Sequence, residues 1–380
     1  MLIGVPKEIM NNENRVALTH GGVHELVKAG HTLVVQAGAG VGSGISDDDY
    51  RAAGAELVDD AAQVWERAEM ILKVKEPVGE ELTRMREGQL IFAYLHLAAS
   101  AECTKAVLDS KVTALAYETV TRGRTLPLLA PMSQVAGRLA PVAGAYHLTQ
   151  SQGGSGVLMG GVPGTRRANV VVIGGGVAGE AAGVIAAGMG ANVKVIDLNL
   201  ERLAELEQVH GNRLDTIASN AMNIAEAVAD ADLVIGSVLI PGAAAPKLVT
   251  AEMVERMRPG SVLVDIAIDQ GGCFENSRPT THQDPTYKVG DKIYYCVSNM
   301  PGGVPQTSTA ALTNATLPYI QRIAAQGWTK ALAADEGLAS GLNAHDGKIT
   351  HRGVFEAMLE ELQLEQNHDF RNVQDILASV

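Results

Sequence analysis

The run from Asn169 to Asp197, NVVVIGGGVAGEAAGVIAAGMGANVKVID, limits the folds open to this chain more than any other stretch. Val170 to Ile173 are consecutive apolar β-branched residues, the pattern of a short strand buried on both faces. Gly174, Gly176 and Gly179 follow at G-x-G-x-x-G spacing. The first glycine permits a tight turn, the second lets a pyrophosphate approach the backbone, and the third lets the next helix pack closely on the sheet. That helix is rich in small residues, Ala181, Ala182, Gly183, Ala186 and Ala187, and its unpaired N–H groups and positive dipole end favour an anion. A second apolar strand, Val193 to Ile196, ends at Asp197, where a carboxylate can bind both hydroxyls of a ribose. The same acid repels a 2′-phosphate, so the pattern favours NAD over NADP. A bare glycine motif means little in a chain with 41 Gly; the strand before it, the helix after it and the acid beyond make the composite specific. Glu180 and the glycines argue against reading residues 170 to 190 as a membrane span.

At 380 residues the chain is long enough for two domains, because single cores rarely grow past about 250 to 300 residues. A net charge of -13, with no clustered Lys and Arg, argues against a nucleic-acid partner. Cys103, Cys273 and Cys296 are odd in number, widely spaced and form no C-x-x-C pair. That usage points to a reducing, cytoplasmic setting and to no structural metal. The N-terminus, MLIGVPKE, enters a strand pattern at once and carries no secretory signal pattern.

Short apolar runs alternate with amphipathic stretches through the first third. Leu2 to Val5, Thr32 to Val35, Met70 to Val74, Leu90 to Leu95 and Val112 to Ala116 read as strands, with helical patterns such as Gly22 to Ala29 and Ala101 to Leu108 between them. The centre repeats this alternation, with further strands at Leu233 to Leu239, Ser261 to Ile268 and Ile293 to Val297. From Thr307 onward the strand signal stops, and Ser308 to Ile323 reads as a long helix kinked at Pro318. The proline-bearing LPLLAPM, Leu126 to Met132, reads as a linker before a helical pattern over Ser133 to Thr149, and NMPGGVPQ, Asn299 to Gln306, as a second connection. The fold class is α/β, with two Rossmann-like domains, the central one doubly wound. Two such domains joined twice imply a cleft between them, where a nicotinamide and a small substrate would meet.

In open α/β sheets, ligands bind beyond the carboxyl ends of the strands. That rule selects Arg15 after the first strand, Lys75 at the end of MILKVK, His96 at the end of IFAYLH, Asp269 at the end of VLVDIAID, and Asn299 after YYCVSN. Together they offer what reduction of a keto acid needs: cations for a carboxylate, an imidazole for a carbonyl, and a carboxylate base. Taken singly, Arg15 and Lys75 read as solvated surface charges and His96 as a satisfied, partly buried histidine. Asp265 and Asp269 fall on one face of the same strand; position favours Asp269, at the strand end before Gly271 and Gly272, and leaves Asp265 structural. Glu8 and Glu118 read either as partners of the basic residues or as uninvolved acids. His345, Asp346 and His351 read as surface loop, without metal-ligand spacing. No G-x-S-x-G, H-E-x-x-H or Walker pattern is present.

At this level the chain resembles the alanine dehydrogenase family, shared with the NAD-binding subunit of proton-translocating transhydrogenase. The resemblance runs over essentially the whole length and rests on GVPKEIMNNENRVALT, LKVKEP, FAYLHLAAS, LLAPMSQVAGRLA, the glycine run, VLVDIAIDQGGCFE and SNMPGGVPQTSTAALTNATLPY. It implies reversible oxidative deamination of L-alanine to pyruvate and ammonium with NAD. Carried over by position, Arg15 and Lys75 bind the substrate carboxylate and keto oxygen, while His96 and Asp269 are catalytic. The implied cofactor set is Ser133, Gly174, Gly176, Val177, Ala178, Gly179, Asp197, Arg202, Ser219, Val238, Leu239, Ile266, Asp269, Arg278, Val297, Asn299 and Met300. Arg202 is a caution, since an arginine near the ribose can admit a 2′-phosphate; with Asp197 in place it reads as packing near the adenine. The resemblance also implies that the tail returns to the first domain. Residues 1–128 and 306–380 would then form a discontinuous substrate domain, residues 129–305 the NAD domain, and the whole a homohexamer. The rival of another class is a transhydrogenase subunit that passes hydride to a partner protein; a saccharopine or opine dehydrogenase, with a larger amine partner, is the rival enzyme.

Overall fold

The computed structural model describes residues 1–238 and 245–378, the side chain of Asn367 aside. Six strands come first: β1 (Leu2–Val5), β2 (Thr32–Gln36), β3 (Glu56–Val58), β4 (Met70–Leu72), β5 (Leu90–Ala93) and β6 (Thr113–Ala116). The middle of the chain supplies β7 (Asn169–Ile173), β8 (Asn192–Asp197), β9 (Asp215–Ala218), β10 (Leu233–Gly236), β11 (Val262–Asp265), β12 (Thr286–Val289) and β13 (Lys292–Tyr295). A last hairpin is β14 (Leu342–His345) and β15 (Lys348–Ile349). The chain divides into two compact units, Met1–Pro131 with Val304–Val380, and Met132–Gly303.

In the first unit the strand order is β15-β14-β6-β5-β4-β1-β2-β3, parallel from β6 to β3, with β14 and β15 antiparallel at one edge. In the second it is β12-β13-β11-β10-β7-β8-β9, parallel except for β12. Each sheet therefore reverses its winding once, between β1 and β4 in the first and between β7 and β10 in the second. Both are Rossmann-like α/β sheets with a topological switch point at which ligands bind. The central strands are apolar on both faces because helices cover both; β5, β6, β10 and β11 are buried along their whole length.

Several expectations need correction. The tail is not free of strands: β14 pairs with β6 and extends the first sheet. The apolar runs overshoot, since β10 stops at Gly236 and β11 at Asp265. Beyond Asp265 the residues IAIDQ form a 3₁₀ helix (Ile266–Gln270), which Asp265 opens by accepting the Ala267 N–H at 3.2 Å. Asp265 and Asp269 therefore do not share a strand face. The expected linker is partly helical, because the helix Ala130–His147 begins inside it. The long tail helix spans Pro305–Gln326 with Pro318 in its interior. His345, Asp346 and His351 are not a plain surface loop. His345 ends β14 with Nδ1 3.0 Å from Thr113 Oγ1, Asp346 turns the hairpin with φ 49°, and His351 caps the helix Arg352–Met358. The three cysteines are unpaired and buried, Cys103 in the first unit, Cys273 and Cys296 in the second. No helix of the described residues is long and apolar enough to cross a membrane, and no group among them is arranged to hold a metal ion.

Candidate active site

In the first unit, charged side chains gather beyond the carboxyl ends of β1, β4, β5 and β6. Arg15 follows β1, and its side chain is only 2% exposed. Nε and Nη2 donate to the two carboxylate oxygens of Glu13 at 2.7 and 2.5 Å, a bidentate pair that fixes the guanidinium plane. Burial opposes the guanidinium charge, but Glu13 outweighs it and holds Arg15 firmly cationic. Arg15 is thus no solvated surface charge, and its partner Glu13 lay in the quoted N-terminal motif without an assigned role.

Lys75 and His96 are joined by a residue that spacing did not single out. Glu76 Oε2 lies 3.4 Å from Lys75 Nζ and 2.9 Å from His96 Nδ1. Burial alone would raise the Glu76 carboxyl, yet the His96 hydrogen bond and the Lys75 charge bring it down to about 2. An ionised carboxylate only accepts, so Nδ1 carries the proton in this pair and Nε2 is left to face other chemistry. His96 itself sits in the left-handed region, φ 47° and ψ 34°. Such a conformation costs a non-glycine residue about 1 to 2 kcal/mol and needs support. Glu118, from the turn after β6, supplies it by accepting the Leu95 N–H at 3.1 Å and the His96 N–H at 2.7 Å. Beside it the Tyr94 hydroxyl donates to the Leu128 carbonyl at 2.5 Å.

Below this group lies a buried triad. Lys73 Nζ is 2.9 Å from Glu8 Oε2 and 2.7 Å from Glu81 Oε1, and Glu8 Oε1 also accepts the Val74 N–H at 2.6 Å. Glu8 is therefore a direct partner of Lys73, and its charge also favours the Arg15 guanidinium. Glu118 binds backbone N–H groups where a basic side chain was one of the expectations.

The second unit builds its site from backbone. At Gly174 φ is +98°, and a Cβ there would crowd Ser237 and Val238 at 3.0 Å. A Cβ on Gly179 would fall 1.8 Å from the Gly174 carbonyl oxygen, so the helix Val177–Gly188 starts in contact with the turn itself. Nothing lies within 4 Å of a Cβ built on Gly176, which leaves open space at the first turn of that helix. Val177 and Ala178 open the helix, and a Cβ on Gly137 would meet the Ala178 carbonyl at 2.2 Å, so the helix carrying Ser133 packs closely there. Ser237, not anticipated from sequence, donates to the Ile173 and Gly174 carbonyls at 3.0 and 2.9 Å and pins the turn.

Asp197 ends β8 and is partly exposed; Oδ2 accepts the Gly175 N–H at 2.6 Å and Oδ1 the Asn199 N–H at 2.8 Å. Arg202 Nε donates to the carbonyl of the same Gly175 at 2.8 Å. Ser219 follows β9 and hydrogen-bonds the Asp197 carbonyl at 2.9 Å. Ile266 and Asp269 lie in the 3₁₀ helix after β11, Asp269 exposed and Asp265 fully buried under four donors, Ala267 N–H, Cys273 N–H, Phe274 N–H and the Ser277 hydroxyl. Val297, Asn299 and Met300 follow β13; Asn299 has φ 59°, and its carbonyl accepts from His282 Nε2 at 3.1 Å. These residues all lie beyond strand ends of one sheet. Arg278 is apart from them, before the edge strand β12, with its guanidinium 4.0 Å over the Tyr287 ring. Leu239 lies outside the described residues. Arg15, Lys75 and His96 belong to the first unit and Asp269 to the second.

With this geometry in view, comparison with known proteins is specific. The family models for the alanine dehydrogenase/PNT N-terminal and C-terminal domains match residues 4–136 and 140–352. The alanine dehydrogenase of Mycolicibacterium smegmatis is 60% identical over 365 residues, 96% of this chain and 97% of that one. A solved L-alanine dehydrogenase superposes with a TM-score of 0.91 at 51% identity, covering 95% of this chain and 99% of that one. A transhydrogenase from Sinorhizobium meliloti superposes with a TM-score of 0.78 at 28% identity, covering 93% and 99%.

Proposed function

The chain belongs to the alanine dehydrogenase/PNT family, and we propose that it catalyses reversible oxidative deamination: L-alanine, NAD and water give pyruvate, ammonium, NADH and a proton. One observation carries this reading over an NAD(H)-binding hydride-transfer subunit of transhydrogenase: 60% identity over nearly the full length of an alanine dehydrogenase, against 28% to the transhydrogenase.

The glycine turn fits a dinucleotide, because the space beside Gly176 is where a phosphate can reach the helix's N–H groups. NAD is the cofactor of this family, and when bound its nicotinamide accepts the hydride of the substrate α-carbon. Gly174, Gly176, Val177, Ala178 and Gly179 hold the pyrophosphate and Asp197 the ribose. Ser133, Arg202, Ser219, Val238, Ile266, Asp269, Val297, Asn299 and Met300 complete the set that would line it, and Leu239 and Arg278 join that set by resemblance alone.

Arg15 and Lys75 bind the substrate carboxylate and the oxygen at C2, cations whose directions Glu13 and Glu76 set. With Nδ1 protonated toward Glu76, His96 presents Nε2 to that oxygen and exchanges its proton. In the direction of deamination, Asp269 takes a proton from the water that attacks the substrate iminium carbon; in reverse it serves the incoming amine. The nitrogen leaves as ammonium once protonated, and pyruvate remains. A homohexamer, on the family's pattern, and a cytoplasmic location, supported by three buried unpaired thiols, complete the proposal.

The test is NADH oxidation with pyruvate plus ammonium, run beside NADPH and beside larger 2-oxo acids. Turnover with pyruvate and NADH is expected. Binding of NADH without turnover would move the assignment to the transhydrogenase reading, and light scattering of the active protein checks the hexamer.

A further inference from the structure

Arg202 stands where an arginine can admit the 2′-phosphate of NADP, two residues into the helix Leu200–His210 that follows Asp197. It touches the same glycine as Asp197: Asp197 accepts from the Gly175 N–H and Arg202 donates to the Gly175 carbonyl. The two side chains therefore flank the corner where the 2′ position of an adenosine ribose would lie. Arg202 is fully engaged along three directions. Nε goes to Gly175, Nη1 to Glu205 at 2.9 Å, and Nη2 to Glu180 in a close ion pair. Glu180 is itself held from behind by His210 Nε2, 2.8 Å from its other oxygen.

We propose that Glu180 and Glu205 are specificity-determining residues that exclude NADP together with Asp197, by holding Arg202 in ion pairs and leaving net negative charge at the 2′ position. This rests on the NAD reading and extends it from one acid to three. The Arg202 guanidinium is paired with two carboxylates, and Asp197 adds a third on the other side of Gly175, so an incoming phosphate dianion meets excess negative charge as well as an arginine whose donors are already committed. Ion pairing at this partly exposed corner is individually weak, so specificity is spread over the group. Removal of Asp197 alone then leaves the arginine still locked.

The experiment uses the full-length protein and two fragments as probes, 5′-ADP and 2′,5′-ADP, titrated by calorimetry. In an Asp197→Ala background, Glu180→Gln should raise the affinity for 2′,5′-ADP relative to 5′-ADP by about tenfold, roughly 1.4 kcal/mol, and Glu205→Gln by less. Arg202→Ala added to the Glu180→Gln, Asp197→Ala protein should abolish the gain. The ratio of kcat/KM for NADPH to that for NADH should move in the same sense. An unchanged ratio of fragment affinities in both the Glu180 and the Glu205 variants would overturn the proposal, as would a gain that survives loss of Arg202. Failure of the parent protein to bind 5′-ADP more tightly than 2′,5′-ADP would instead overturn the NAD reading on which it rests.

Discussion

The two units present their functional groups at the same place, beyond the carboxyl ends of a sheet wound in the same order, but from opposite materials. The second unit uses backbone: a left-handed Gly174, a helix seated against it at Gly179, and Ser237 tying the turn to its strand. The first uses acidic side chains set against basic ones, Glu13 with Arg15, Glu76 with Lys75 and His96, and Glu8 and Glu81 with Lys73. A backbone site needs particular residue types at fixed spacing, so it is written locally. A site made of paired charges is assembled only when distant strand ends meet.

That contrast can be broken in four ways. The largest effect is expected at the proposed reacting groups. His96→Asn, a residue that tolerates the left-handed backbone, and Asp269→Ala should each lower kcat by about a hundredfold or more while NADH still binds; near-native turnover in either would remove that residue from its role. Next comes the buried triad. Lys73→Ala strands Glu8 and Glu81 without their cation and should cost about 3 to 5 kcal/mol of stability, read by denaturant unfolding. A loss under 1 kcal/mol would mean that the charges of the first unit are not structural.

Glu76 tests the same idea through pH. Its folded carboxyl is depressed to about 2 from an ordinary 4.5, so its contribution is complete above about pH 4.5 and is lost as pH falls toward 2. By the usual conversion that is about 3 kcal/mol. Glu76→Gln should therefore flatten the stability curve across that window, and a parallel curve would show that the pair with Lys75 and His96 does not hold the acid down. The smallest effect belongs to the backbone site. Gly179→Ala places a methyl against the Gly174 carbonyl and should weaken NADH binding by about 1 to 3 kcal/mol, measured by fluorescence titration, with the first unit's stability untouched.

Legibility followed the same division. The strands buried along nearly their whole length, β1, β5 and β7, stood out as apolar runs, as did the half-covered β8, whereas β3, β9, β12, β14 and β15 did not. The missed strands lie at or next to sheet edges, where one-sided cover leaves mixed residues such as DTIA in β9 and TYKV in β12. Apolar runs also misled where they outlasted the strand, as in IAIDQ after β11, because periodicity does not register a side-chain cap such as Asp265. Among the proposed site residues, those near strand ends could be named from position. Their acidic partners Glu13 and Glu76 could not, since a carboxylate two residues or one residue away in sequence gives no sign of which cation it will face. Glu118 became informative only through the two N–H groups it accepts, 22 and 23 residues earlier in the chain.

The buried cysteines give each unit its own internal clock. Burial pushes the thiols up, to about 12 for Cys103, about 12 for Cys273 and about 11 for Cys296, so almost no thiolate exists at neutral pH and little of any sulfur meets solvent. Alkylation must wait for the surrounding core to open. Because Cys103 reports on one unit and Cys273 and Cys296 on the other, peptide mass mapping of a timed labelling reaction would record which of the two opens first, without a single engineered probe.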